Sequence, residues 1–179
     1  MSHESKLSLM EKVLGTDKTD IAEETRLYCQ AAMPDAQAKQ EAWSLILNQR
    51  QPGQPQQRLS KKMRDEVIRA FNHPNQLDLT ASYNELYFGQ LHDFYKGNIY
   101  KLFVSFFYAN LPRKGEITDG HLQKLRDLRA GADVAAGKSG GEASFKKVLS
   151  DGIEQLERQK LIRELAQRQD DLHVQYFQH

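Results

Sequence analysis

The stretch that decides the fold is His121-Leu122-Gln123-Lys124-Leu125-Arg126-Asp127-Leu128-Arg129, which runs directly into AGADVAAGKSGG at residues 130–141. Within it, Ala132 to Ser139 reads A-x-x-x-x-G-K-S, one residue away from the phosphate-binding pattern G-x-x-x-x-G-K-[ST]. A phosphate loop needs a strand that delivers the chain into a turn, whose N–H groups converge on phosphate ahead of a helix. Here Leu122, Leu125 and Leu128 recur at helical spacing, and no β-branched apolar run precedes the glycines. Lys138 and Ser139 therefore lack their scaffold. The Gly, Ala, Ser and Asp content reads as an inter-helix loop, with a small P-loop enzyme as the minor alternative.

Helical periodicity extends outward in both directions. Toward the N-terminus, Ile99, Leu102, Phe103, Phe106 and Phe107 form the most apolar segment, ended by Asn110-Leu111-Pro112. Gly97-Asn98 separates it from a long stripe of Leu79, Tyr83, Leu86, Tyr87, Leu91 and Phe94, and this aromatic region is expected to form the centre of the core. Earlier helices carry Met63, Val67, Ile68 and Phe71 after a Ser60 N-cap, and Ala38, Ala42, Trp43, Ile46 and Leu47 after Met33-Pro34-Asp35. Before those lie Ile21, Thr25, Tyr28 and Ala32 after the cap cluster at 17–20, and Leu7, Met10 and Leu14 ahead of Gly15. Residues 49–58 form a polar loop with two prolines, and Asn72-His73-Pro74-Asn75 a further break. After the glycine-rich stretch, Thr118 or Asp119 having capped the helix before it, the last helix bears Phe145, Val148, Leu149, Ile153, Leu156, Leu161, Ile162 and Leu165. Gly152 within it costs roughly 1 kcal/mol against Ala. The expectation is an all-α protein of about eight helices, made antiparallel by short loops, in a HEAT-like bundle or curved solenoid. Residues 1–168 form this domain, and 169–179 a polar tail that frays.

The 179 residues suffice for one core, with 39% hydrophobic and 27% charged residues and a net charge of +1. That balance points to neither nucleic acid nor an anionic membrane. No run of ~18 apolar residues can span a bilayer, and the N-terminus is too polar for a signal peptide. Cys29 is the single cysteine, so no internal disulfide or cysteine zinc site exists; its apolar-periodic setting predicts a buried, inert thiol. Among the six histidines (3, 73, 92, 121, 173 and 179) no pair has zinc-helix spacing, and His3-Glu4 lacks the second His of H-E-x-x-H. His92-Asp93 sits on the aromatic helix, and Asp170-Asp171-Leu172-His173 falls in the tail. Glu154–Arg158 and Glu157–Lys160 read as helix-stabilising pairs, with Glu164 on the same helix. No catalytic, cofactor-binding or metal-ligating residue emerges.

Several segments resemble, in order, the C-terminal region of the aminopeptidase N / puromycin-sensitive zinc aminopeptidases. Asp17-Lys18-Thr19-Asp20 resembles its D-P-T-D, with Lys18 for Pro. Pro34 to Trp43 is close to P-D-x-x-A-K-x-x-A-W. Ala70-Phe71-Asn72-His73-Pro74-Asn75-Gln76 is similar to G-F-x-x-P-x-Q, Tyr87-Phe88 to a following Y-F pair, and Leu149 to Arg158 to L-x-E-G-x-D-x-L-x-R. The matches span about residues 10–166; the loop at 131–142 is long, and the tail past Arg168 has no counterpart.

This resemblance implies a non-catalytic, HEAT-like C-terminal domain that closes the substrate chamber of a larger cytoplasmic peptidase and shapes peptide access. The parent's zinc, G-A-M-E-N-type segment and H-E-x-x-H helix would lie in its catalytic domain, none of them in these residues. The implied partners are that catalytic domain and peptide substrates on the concave face, with self-association of the isolated chain as a further expectation. The alternative is a free-standing helical-repeat protein–protein interaction module.

Overall fold

The structure is a computed structural model that describes residues 3–48, 59–131 and 141–177. Every regular element among them is helical. α1 (His3–Leu14), α2 (Asp20–Ala31), α3 (Ala36–Leu47) and α4 (Lys61–Phe71) are followed by a short irregular stretch. That stretch holds a 3-10 turn (Pro74–Gln76), the single-turn α5 (Leu77–Thr80) and a second 3-10 turn (Ala81–Tyr83). α6 (Asn84–Gly97), α7 (Tyr100–Asn110), α8 (Asp119–Ala130) and α9 (Gly141–Phe177) complete the chain. The all-α class expected from the sequence is the one observed. The A-x-x-x-x-G-K-S motif at 132–139 lies outside the described residues, yet the segment that leads into it is the helix α8.

Local chemistry accounts for the helix starts. The Thr19 Oγ1 accepts from the Ala22 N–H at 3.2 Å, the Asp35 Oδ1 from Ala38 at 2.8 Å and the Ser60 Oγ from Met63 at 3.2 Å. Asp17 braces the first cap by accepting from the Thr19 N–H at 2.9 Å, a bond that holds its carboxyl below the usual carboxylate value. Of the two candidates before α8, Thr118 is the cap. Its Oγ1 accepts from the His121 N–H, and the His121 Nδ1 accepts from the Thr118 N–H, each at 3.2 Å. A histidine thus fills the return position of a capping box, usually Glu or Gln.

The chain divides into two compact units, residues 1–115 and 116–179. In the first, α4 lies against α2, α3 and α7, and α1 packs on α2. Its core is the aromatic region read from the sequence. Phe103, Phe106 and Phe107 of α7 have no exposed surface. The Phe94 and Phe106 rings stack with centroids 4.0 Å apart, while Tyr87 and Trp43 reach Phe106 at 5.5 and 5.9 Å. The buried Tyr87 hydroxyl donates to the Phe107 carbonyl at 2.9 Å, and burial pushes its pKa well up. In the second unit α8 and α9 pack together through Leu122 and Leu125 on one side and Phe145, Leu149, Ile153 and Leu156 on the other.

Four expectations are corrected. The stripe Leu79–Phe94 is not one helix: the 3-10 turn at 81–83 separates α5 from α6, and Leu86 and Ile99 are exposed. On α2 the buried face is Ala22, Leu27 and Ala31, so Ile21, Thr25 and Tyr28 point outward, because two alanines let α2 and α4 approach closely. Cys29 rides on that outer face and is exposed. On α9, Leu161, Ile162 and Leu165 are more than half exposed. Lys160 already sits opposite Asp119, the first residue of α8, so α9 has run past its partner helix there.

Candidate functional site

Two features of the first unit stand out from ordinary packing: a buried lysine and an apolar groove. Lys39 lies on the face of α3 that also carries Ala38, Ala42 and Trp43, and it is 0% exposed. Its Nζ donates to the Ala31 carbonyl at 2.7 Å and the Phe71 carbonyl at 2.9 Å. These are the last residues of α2 and α4, whose final carbonyls have no partner within their own helices. A cation there also meets the negative ends of two helix dipoles, and the Phe71 ring lies 5.7 Å away. Burial nevertheless pulls the ammonium pKa from 10.5 to about 8, with the Asp35 carboxylate opposing the fall.

Around this point the chain makes further cross-links from polar side chains to helix ends. Gln76 Nε2 donates to the Ala32 carbonyl at 2.9 Å, and Asn72 Nδ2 to the Ala109 carbonyl at 2.9 Å. His73 Nδ1 accepts from the Asn75 N–H at 3.3 Å and caps the 3-10 turn. On α4, Arg64 donates to the Ile46 carbonyl at 2.5 Å and to Asn98 Oδ1 at 2.7 Å, with its guanidinium over the Phe94 ring.

The groove, of about 520 Å³, lies between α1 and α2. Leu9, Met10 and Val13 form one wall; Thr25, Tyr28 and Cys29 form the other, with Met33 and Pro34 at one end. Lys6 is the one group among the lining residues that carries a charge at neutral pH. Size and apolarity are those of a binding cleft, but no nucleophile–base pair or carboxylate converges on it.

The titratable residues weighed in the sequence are dispersed. His92 is exposed beside Asp93 at 3.6 Å, and His121 is buried in its cap. His179 lies outside the described residues. Among the described residues no group of three or more His, Cys, Asp or Glu could hold a metal ion, and no helix is long and apolar enough to cross a membrane. The Glu154–Arg158 pair forms within α9. Glu157 and Lys160 do not serve each other: Glu157 pairs with Arg126 at 2.6 Å and Lys160 with Asp119 at 2.5 Å, both on α8. Packed neighbours reach these side chains better than the next turn of their own helix does.

Sequence reading missed Lys39 because a lysine on a helix reads as solvated. The available signal was its register, three and four residues before Ala42 and Trp43 on the apolar face. No family model matches the chain, and no curated protein matches it.

Proposed function

We propose that the chain is the non-catalytic C-terminal helical domain of a cytoplasmic zinc aminopeptidase, a HEAT-like wall that closes the substrate chamber and shapes peptide access. The observation that supports this most strongly is the work done by the residues that carry the resemblance. Thr19 and Asp35 cap helices; Lys39, Asn72 and Gln76 tie the ends of helices together; Trp43, Phe71 and Tyr87 fill the core. All of this is scaffold chemistry. A chamber wall needs that rigidity, and the reaction itself needs none of these side chains. In the parent, zinc would polarise the peptide carbonyl and activate water, with a glutamate as general base. The wall would bind no metal and would meet peptides only along its concave face.

The reading is tested with an antibody to this chain, used to precipitate the native protein from its source cells. The precipitate is expected to release N-terminal residues from an aminoacyl-coumarin substrate, and a zinc chelator to abolish the release. The purified 179-residue chain, supplied with zinc, is expected to release none. A precipitate that holds the chain and no chelator-sensitive activity contradicts the proposal.

A further inference from the structure

The cleft between the starts of α4 and α7 departs from the charge pattern of the other helices. α1, α2, α6 and α8 each carry an acid in the first turn, where the helix dipole favours one. α4 opens with Lys61 and Lys62, α7 carries Lys101 as its second residue, and neither has an acid in its first turn. The two helices pack together, and the three lysines line one cleft of about 240 Å³ with Asp65, Ile99 and Leu102. Three cations are thus gathered where both dipoles oppose them. Internal pairing answers only part of this. Lys62 faces Glu24 at 2.9 Å, with Glu66 and Asp20 also acting on it. Asp65, the one acid in the lining, faces Arg69 at 3.8 Å. Among the described residues Lys61 and Lys101 have no ion-pair partner, and both are exposed.

We propose that this cleft binds a small organic phosphate monoester, its head between Lys61 and Lys101 and its carbon part against Ile99. The inference stands apart from the peptidase reading. Charge selects the head. A phosphate monoester carries about two negative charges at pH 7, which matches two unpaired lysines, whereas a carboxylate matches one. Its oxygens also find donors. Each ammonium offers N–H groups in any direction, and no side chain caps the first-turn N–H groups of α7, which follow Ile99. Volume and polarity select the rest. At about 240 Å³ the cleft holds more than a phosphate. Ile99, an isoleucine 41% exposed in a lining otherwise rich in charge, gives an attached hydrocarbon its contact.

Phenyl phosphate is the probe, titrated into the isotope-labelled 179-residue chain while backbone amide shifts are followed by NMR. Saturable shifts are expected, centred on the amides of Lys61, Lys101 and Leu102. Benzoate, with the same ring and one charge, should bind about tenfold more weakly, and so should inorganic phosphate, which lacks the ring. Lys61→Gln and Lys101→Gln should each weaken phenyl phosphate about tenfold. Both side chains are exposed, so the rest of each variant's spectrum should stay that of the wild type. Ile99→Ser should bring phenyl phosphate down to the affinity of inorganic phosphate, and Lys138→Gln should change nothing. Shifts scattered over exposed lysines elsewhere, or benzoate binding as tightly as phenyl phosphate, overturn the inference. Binding lost in Lys138→Gln also overturns it, because the phosphate then belongs to the A-x-x-x-x-G-K-S stretch. Cosedimentation with phosphatidic acid vesicles, with no response to phenyl phosphate, assigns the lysines to a membrane and overturns the small-molecule ligand.

Discussion

Phe106→Ala lowers the unfolding free energy of the chain by about 4 kcal/mol, near the upper end for an aromatic deleted from a core. The ring has no exposed surface and touches two other helices at once: it stacks on Phe94 of α6 at 4.0 Å, reaches Tyr87 of the same helix and, from α3, Trp43. Truncation removes buried apolar area and leaves a hole whose walls come from helices that are each fixed elsewhere. α7 is held through Tyr87 to the Phe107 carbonyl, and Asn72 to that of Ala109, so the site collapses poorly. The loss is read from urea midpoints at constant slope. A change below about 1 kcal/mol would mean that Phe106 does not join these helices.

Lys39→Met costs about 2 kcal/mol at pH 7 by a different route. The variant keeps most of the volume and removes both bonds to the Ala31 and Phe71 carbonyls, leaving two buried acceptors unserved. Relief of a buried charge returns part of that loss. The pH dependence separates the contributions. The folded pKa of about 8 lies below the unfolded 10.5, so between those values the unfolded chain holds a proton that the folded chain has released. Raising pH through this window withdraws that proton from the unfolded state, and the wild-type protein gains stability. The neutral amine still has two N–H donors for its two carbonyls. Methionine has no such linkage, so the gap between wild type and variant should widen from pH 7 to pH 10. Comparing the two proteins at each pH cancels the tyrosines and arginines they share. A gap that narrows with pH would place the ammonium in a setting that favours its charge.

The limits of the sequence reading are themselves physical. Caps at Thr19, Asp35, Ser60 and Thr118 are legible because a side-chain oxygen before an apolar run has one good use. The Phe103–Phe107 cluster is legible because it has no polar face to turn outward. α2 was ambiguous: it carries two apolar stripes, and the larger side chains Ile21 and Tyr28 suggested the wrong one. Close packing chose the alanines, which periodicity cannot weigh. Leu161, Ile162 and Leu165 continue the helical pattern of α9 past the start of α8, and no one-dimensional pattern says where a partner helix stops. The break at 81–83 carries no Pro or Gly to announce it. At the candidate site, the groove depends on which face of α2 turns outward, so it was invisible for the same reason that Cys29 was placed inside.

The most direct test of the account is to immunopurify the native protein with an antibody to this chain and sequence its peptides by mass spectrometry. The expected result is one polypeptide several times longer than this chain. Peptides N-terminal to His3 would carry an H-E-x-x-H helix and a G-A-M-E-N-type segment. A native polypeptide confined to these 179 residues, or a longer one with neither segment, would contradict it.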